Sequence, residues 1–212
     1  MKLFLLFAVP VFYFSIADCY AQVQDFQTWS SVSFQKSFLK KVSASAQQQL
    51  RLNENSTKLR QTFTDAGIKY EAMKNVRISG NYRLIFRPHA IDHRVYADID
   101  YSWKKKKLAI TPRARLQHDF VDGFNDNNYL RGKLTLEYKV TKKWKPFIAG
   151  ELFYRIFYYR GNKFDEYRLN AGTNFNLNKK NSFKIFYLMQ QEFNVNARNQ
   201  NHILAIGYEY DL

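Results

Sequence analysis

Among 212 residues the chain has a single cysteine, Cys19. It lies at the end of the opening apolar segment, so removal of that segment leaves no thiol for a disulfide, a thiolate metal site or a cysteine nucleophile. A second apolar run of spanning length is also missing. A membrane helix needs roughly 20 consecutive apolar residues, nothing beyond Ile16 approaches that, and the mean hydropathy is −0.49. A helical membrane protein is thereby excluded. A β-barrel is not, because its strands meet lipid with only every second residue. Proline is scarce, at 4 residues. Pro112 and Pro146 fall inside or at the start of alternating segments, where a sheet tolerates proline only at a bulge or a strand's first residues.

What is present begins with Met1-Lys2, an apolar run from Leu3 to Ile16, and Ala17-Asp18-Cys19-Tyr20-Ala21 before the polar Gln22. One positive charge, a short hydrophobic segment and small residues at its end are the three parts of a secretory signal. Asp18 stands where a lipoprotein signal needs a small residue before its cysteine. The reading is therefore a signal peptide over 1–21, cleaved after Ala21, and one domain over 22–212. Aromatic residues make up 17% of the chain, with 15 Tyr and 19 Phe, and half-wet aromatic rings favour a membrane interface. The formal charge is +15. That invites a nucleic-acid partner, but the lysines are spread among turns and no recognition motif accompanies them, so no nucleic acid is expected.

From Asp25 onward the period is two. Leu130, Leu134, Leu136, Tyr138 and Val140 fall on one face of a segment whose other face carries Arg131, Lys133, Thr135, Glu137 and Lys139. Tyr167, Leu169, Ala171, Thr173, Phe175 and Leu177 likewise oppose Glu166, Arg168, Asn170, Asn174 and Asn176. Val95, Ala97, Ile99, Tyr101 and Trp103 oppose Arg94, Asp98, Asp100 and Ser102. Further segments run over Phe26–Phe38, Val42–Leu52, Leu59–Ala72, Val76–Arg87, Leu108–Phe120, Pro146–Tyr159, Phe183–Val195 and His202–Leu212.

The links alternate between short basic ones (Leu39 to Lys41, Met73 to Asn75, Lys104 to Lys107, Thr141 to Lys143, Asn178 to Asn181) and longer polar ones (Asn53 to Lys58, Pro88 to Asp92, Val121 to Asn128, Gly161 to Phe164, Asn196 to Asn201). Short turns at one end and longer loops at the other describe an all-β, up-and-down antiparallel transmembrane barrel, with the short turns periplasmic. The segments number eleven, whereas single-chain bacterial barrels normally have an even count. The expectation is 10–12 strands.

Thr28-Trp29-Ser30, the stretch Arg60 to Tyr70, the stretch Tyr129 to Tyr138, and Pro146 through Glu151-Leu152-Phe153-Tyr154-Arg155 together resemble the outer-membrane proteins grouped as domain of unknown function 2490. The resemblance covers essentially all of 22–212 and rests on the order of these segments. It implies a barrel in the outer membrane of a Bacteroidetes-type bacterium and no assigned activity. The closing residues Leu204, Ile206, Tyr208, Tyr210 and Leu212 resemble the C-terminal strand by which such barrels are recognised for assembly, although the chain ends in Leu rather than an aromatic.

Candidate chemistry is sparse. Of His89, His93, His118 and His202, none stands in a His-x-Ser arrangement, and no Cys, Asp or Glu cluster completes a metal site around His89 and His93. They read as solvated loop histidines, with no catalytic residue, metal or cofactor expected. The charged faces say more. Arg77, Arg83, Arg94, Asp98, Asp100, Arg113, Arg115, Arg131, Lys133, Glu137, Glu151, Arg155, Glu166 and Arg168 are expected in the lumen, since Lys or Arg on the lipid face at mid-bilayer costs about 2 to 4 kcal/mol.

Two outcomes stay open: a network of Arg–carboxylate pairs filling a narrow barrel, or a weakly conducting, anion-preferring pore. An enzyme acting on outer-membrane lipid and a soluble periplasmic lipid-binding barrel are the alternatives; the latter needs its apolar faces turned inward. Lys40, Lys41, Lys74, Lys104 to Lys107, Lys142, Lys143, Lys145, Lys179 and Lys180 suggest a basic periplasmic rim beside phospholipid head groups. The expected partners are outer-membrane lipids, lipopolysaccharide and the outer-membrane assembly machinery; the oligomeric state is left open.

Overall fold

The computed structural model describes residues 23–121, 126–196 and 198–212. The signal peptide expected over 1–21, with its expected cleavage after Ala21, lies outside the described residues. The described chain runs through β1 (Val23–Leu39), β2 (Val42–Asn53), β3 (Lys58–Met73), β4 (Val76–Arg87), β5 (Ala90–Tyr101), β6 (Trp103–Lys105), β7 (Leu108–Phe120), β8 (Asn127–Tyr138), β9 (Trp144–Ile156), β10 (Lys163–Asn176), β11 (Asn181–Glu192) and β12 (Asn199–Asp211). All belong to one sheet in which sequence neighbours pair antiparallel. β1 and β12 then meet and close it as a barrel.

β5 and β6 are two parts of one stave, because both pair with β7 in the same register. The ladder lapses around Ser102, where Pro112 of β7 would face Tyr101. A proline has no N–H to give to a ladder, and Ser102 instead donates its own N–H to the carbonyl of Asn75, at 2.8 Å. The proline inside the sheet is thus accommodated by an interruption in its partner. The same hairpin runs on through Lys104 and Lys105, which the sequence places in a turn; only Lys106 and Lys107 turn the chain.

Eleven staves cannot close antiparallel throughout. β1 and β12 accordingly run parallel, from Val23 opposite Asn199 to Gln35 opposite Asp211. The eleven segments of the sequence are all in the wall. Leu212 comes out at the end with the short turns, and Val23 at the end with the longer loops.

Parity then sorts the side chains. On β8, Leu130 and Leu134 point outward, 46% and 47% exposed, whereas Arg131 between them is 5% exposed. The same outward belt holds Val95, Ile99, Leu116, Ile148, Leu152, Leu169, Ile185, Leu204 and Ile206, all exposed. The face that an ordinary soluble domain would bury is here outside. With Leu134 near the middle of β8, Leu134→Arg is expected to lower folding stability in lipid vesicles by about 2 to 4 kcal/mol. Lys133→Ala leaves Glu151 its two arginine partners and is expected to cost far less. Equal losses in urea unfolding of the two variants would show that the faces are reversed.

Candidate functional site: the barrel interior

Each inward residue has its neighbours fixed by register, so the interior can be followed strand by strand. In the half nearer the loops, Trp29 of β1 carries the Arg51 guanidinium of β2 over its ring at 3.7 Å, and Arg51 also faces Phe63 of β3 at 5.0 Å. Arg83 of β4 stacks on Phe63 at 3.8 Å, and Arg115 of β7 on Tyr96 of β5 at 3.8 Å. Farther round, Arg131 of β8 and Arg168 of β10 sit 4.0 and 4.5 Å from the Phe153 ring of β9. Leu188 of β11 and Ile203 of β12 pack with Trp29 and close the circle. A layer of rings and guanidinium groups therefore runs around the wall, with Arg115 and Arg131 side by side on β7 and β8 and aliphatic side chains at the seam. Its members are buried inside the barrel: Phe63 is 1% exposed and Ile203 0%. A desolvated cation over an aromatic ring is stabilising by about 2 kcal/mol.

Carboxylates complete these arginines except Arg51, which donates to the Gln49 side-chain oxygen. Arg83 donates to Asp65 from Nε at 2.7 Å, and Tyr96 adds its hydroxyl to the same carboxylate at 2.6 Å. Arg115 grips Asp98 with two bonds of 2.6 and 2.8 Å, the bidentate geometry that suits a guanidinium. Arg94 does the same to Asp119, at 2.6 and 2.8 Å. Glu151 accepts from Arg113 at 2.8 Å and from Arg131 at 2.9 Å, while Arg131 also gives a bond to Gln117 at 2.7 Å. Arg155 lies 2.8 Å from Asp165 and donates to the Tyr129 hydroxyl. Arg168 lies 2.6 Å from Glu166. Burying a guanidinium is tolerable only with such partners.

Toward the short turns the packing stops and a polar cavity of ≈ 690 Å³ opens. Its charged lining consists of Lys69, Arg77, Arg113, Arg115, Lys145 and Lys184 against Asp65, Asp98, Asp100 and Glu209, six cations to four carboxylates. Serines and amides make up most of the rest, among them Ser31, Ser33, Ser45, Gln47 and Asn176.

The residues named from sequence divide between these two regions. Arg83, Asp98, Arg115, Arg131 and Glu151 are buried in the layer or just beneath it. Arg113 joins Glu151 from the cavity side, Lys133 stands opposite Glu151 in register, and Glu137 accepts from Asn174 at 2.7 Å. Arg77 and Asp100 line the cavity, facing each other across β4 and β5. Arg155 and Arg168 close the loop-side end with Asp165 and Glu166. Lys145, read from sequence as part of the rim, lines the cavity instead.

Sequence reasoning missed the rings. Trp29, Phe63, Tyr96 and Phe153 each share the parity of polar neighbours, as Phe63 does with Gln61 and Asp65, and that mismatch is the signal that marks them as interior. Asp65 and Asp119 were missed as partners as well.

The histidines also differ from the sequence reading. Only His89 is in a turn. His93, His118 and His202 are on strands and face outward, bonded to Tyr82 at 2.6 Å, to Asn128 at 2.7 Å and to Tyr187 respectively. Among the described residues no group of three or more His, Cys, Asp or Glu is placed to hold a metal ion.

The model of the family described as protein of unknown function DUF2490 matches residues 26–202. The chain belongs to this family. That match runs from β1 through β11 to the first residues of β12. A comparison with curated protein sequences returns no match. Among solved structures, the translocator domain of autotransporter NalP from Neisseria meningitidis is similar at 12% identity, over 79% of this chain and 73% of that one, with a TM-score of 0.46. This DUF2490 member is a closed β-barrel with an apolar exterior, the build of an outer-membrane barrel, and no activity is assigned to it.

Removing one cation from the layer should show what the layer does for stability. Arg83→Met leaves the Asp65 carboxylate buried with only the Tyr96 hydroxyl, and breaking a buried pair in this way typically costs about 3 to 5 kcal/mol. Arg77→Met, at the exposed edge of the cavity, is expected to cost almost nothing. Urea unfolding of both variants checks this; a loss at Arg83 no larger than that at Arg77 would mean that the layer is not structural.

Proposed function

We propose that this protein is a non-enzymatic outer-membrane barrel, held shut by its arginine–aromatic layer, with a cationic vestibule on the periplasmic side that admits small anions but passes few of them. The observation that carries the reading is the continuity of the layer, from Trp29 round to Ile203, above a cavity that ends at Asp65, Tyr96 and Arg115. The outward apolar belt supports a lipid-facing wall and speaks against a soluble lipid carrier, which needs that belt inside. The loop end is taken as extracellular because its links are on the whole the longer ones, the tight Pro88-His89 turn excepted. On this reading, outer-membrane lipids and the assembly machinery are the partners, and conduction is weak and anion-preferring.

Arg113 and Arg115 separate a filled lumen from an open pore. Both line the cavity, and Arg115 also belongs to the layer. In planar bilayers the wild-type protein is expected to show small, infrequent currents. The double variant Arg113→Gln, Arg115→Gln is expected to melt at lower temperature and conduct more. A large steady wild-type current that merely loses anion preference in the double variant, with no change in melting, would establish an open pore and end this proposal.

A further inference from the structure

The outer face of β8 and β9 is not evenly covered. Gly132 and Gly150 lie diagonally on these neighbouring strands, with Gly132 opposite Leu152 and Leu134 opposite Gly150. A Cβ on Gly132 would meet nothing within 4 Å, and one on Gly150 only the Leu169 side chain at 3.6 Å. The two glycines therefore form the floor of an apolar furrow of ≈ 720 Å³, walled by Leu134, Leu152 and Leu169 and running up to Tyr154 and Phe164. Tyr154 and Phe164 touch, their ring centroids 4.7 Å apart, at the base of the link between β9 and β10.

That link carries features of a different kind. Phe157, with a left-handed φ of 54°, is 83% exposed, and Tyr159 is 70% exposed. A bulky residue held at positive φ is uncommon. Tyr158 packs edge-on against Tyr159, Arg160 lies over the Tyr159 ring at 5.1 Å, and Lys163 lies 5.5 Å from the Tyr158 ring. Most of the interior arginines have carboxylates, and Arg51 has the Gln49 side-chain oxygen. Among the described residues neither Arg160 nor Lys163 has an ion-pair partner, and Lys163 donates one bond to the Asn194 carbonyl. Two cations that lack a counter-charge, set among exposed rings directly above an apolar furrow in the lipid-facing wall, match an amphiphile with an anionic head and an acyl tail.

We propose that this hairpin binds one phosphorylated glycolipid of the outer leaflet, with an acyl chain in the furrow over Gly132 and Gly150 and a phosphate against Arg160 and Lys163. The site rests on the orientation argued above, in which the loop end is extracellular. It is independent of whether the lumen conducts. Charge complementarity selects the phosphorylated head, and the side-chain-free floor at Gly132 and Gly150 gives an acyl chain a seat between the flanking leucines.

The test is native mass spectrometry of the purified full chain in non-ionic detergent, titrated with diphosphorylated lipid A, its monophosphorylated form and phosphatidylglycerol. Binding in detergent does not depend on orientation or conductance, so its failure is distinguishable from failure of the functional reading. The wild type is expected to retain diphosphorylated lipid A best. Arg160→Ala with Lys163→Ala is expected to weaken that retention about tenfold or more, as loss of charge-assisted bonds does. Gly132→Leu with Gly150→Leu fills the furrow from outside and is expected to lower retention of both lipid A forms. Arg160 is exposed and Lys163 half-buried at the first position of β10, and the single variant Arg160→Ala, which touches only an exposed side chain, keeps the proposal testable even where the other variants fail to fold. Unchanged retention in the loop variant, or equal retention of phosphatidylglycerol by the wild type, would overturn it.

Discussion

A guanidinium pointing into a closed sheet cannot give up its charge, and it has no water to turn to once the sheet is narrow. It must have a carboxylate, a ring face or both. In this barrel the inward arginines of β2, β4, β7, β8 and β10 meet that demand against Trp29, Phe63, Tyr96 and Phe153 and against Asp65, Asp98, Glu151 and Glu166. Because all of these partners but Glu166, which shares β10 with Arg168, are on an adjoining strand, meeting the demand also fixes register. A slip of one residue would send every one of these arginines into lipid. The charges that make the interior costly to build therefore select one alignment of the strands.

Closure imposes a second constraint. With an odd number of staves one pair must be parallel, and the chain uses its two ends for it. Parallel pairing is slightly weaker per residue than antiparallel, but β1 and β12 pair over thirteen consecutive positions. Their inner faces bring Trp29, Ile203 and Ala205 together with Leu188 in the densest apolar part of the interior. The seam is thus backed by packing where its ladder is least favourable. Pro112 is dealt with in the opposite manner, by a lapse in the partner ladder at Ser102, at a place where the stave is already near its turn.

Most of the wall was legible in the sequence, since period-two alternation is a direct consequence of alternate side chains facing lipid. Leu134 and Arg131 could be assigned to opposite faces from spacing alone. Closure could not, because which strand pairs with β1 is a long-range matter that no local pattern encodes; the odd count only hinted at it. The interior was half legible. Charged residues announce themselves on the polar face, so Arg83, Arg115 and Glu151 were found. The rings that they stack on were absorbed into the general richness in aromatics, although the polar parity of Phe63 and Tyr96 distinguished them. Ends of elements were the least secure: Lys104, Lys105 and Lys145 read as turn or rim residues from composition, and register carries them into the sheet.

The central claim is that the arginine–aromatic layer separates the turn-side vestibule from the loop side. Accessibility of the vestibule tests it most directly. Ser33 and Ser45 line the cavity, and single substitutions Ser33→Cys and Ser45→Cys in a Cys19→Ser background give reporters that leave the layer intact. In vesicles of known orientation, a membrane-impermeant maleimide should label both positions when added at the turn side and neither when added at the loop side. Labelling from the loop side at a comparable rate would show that the layer is not a barrier and would contradict the account.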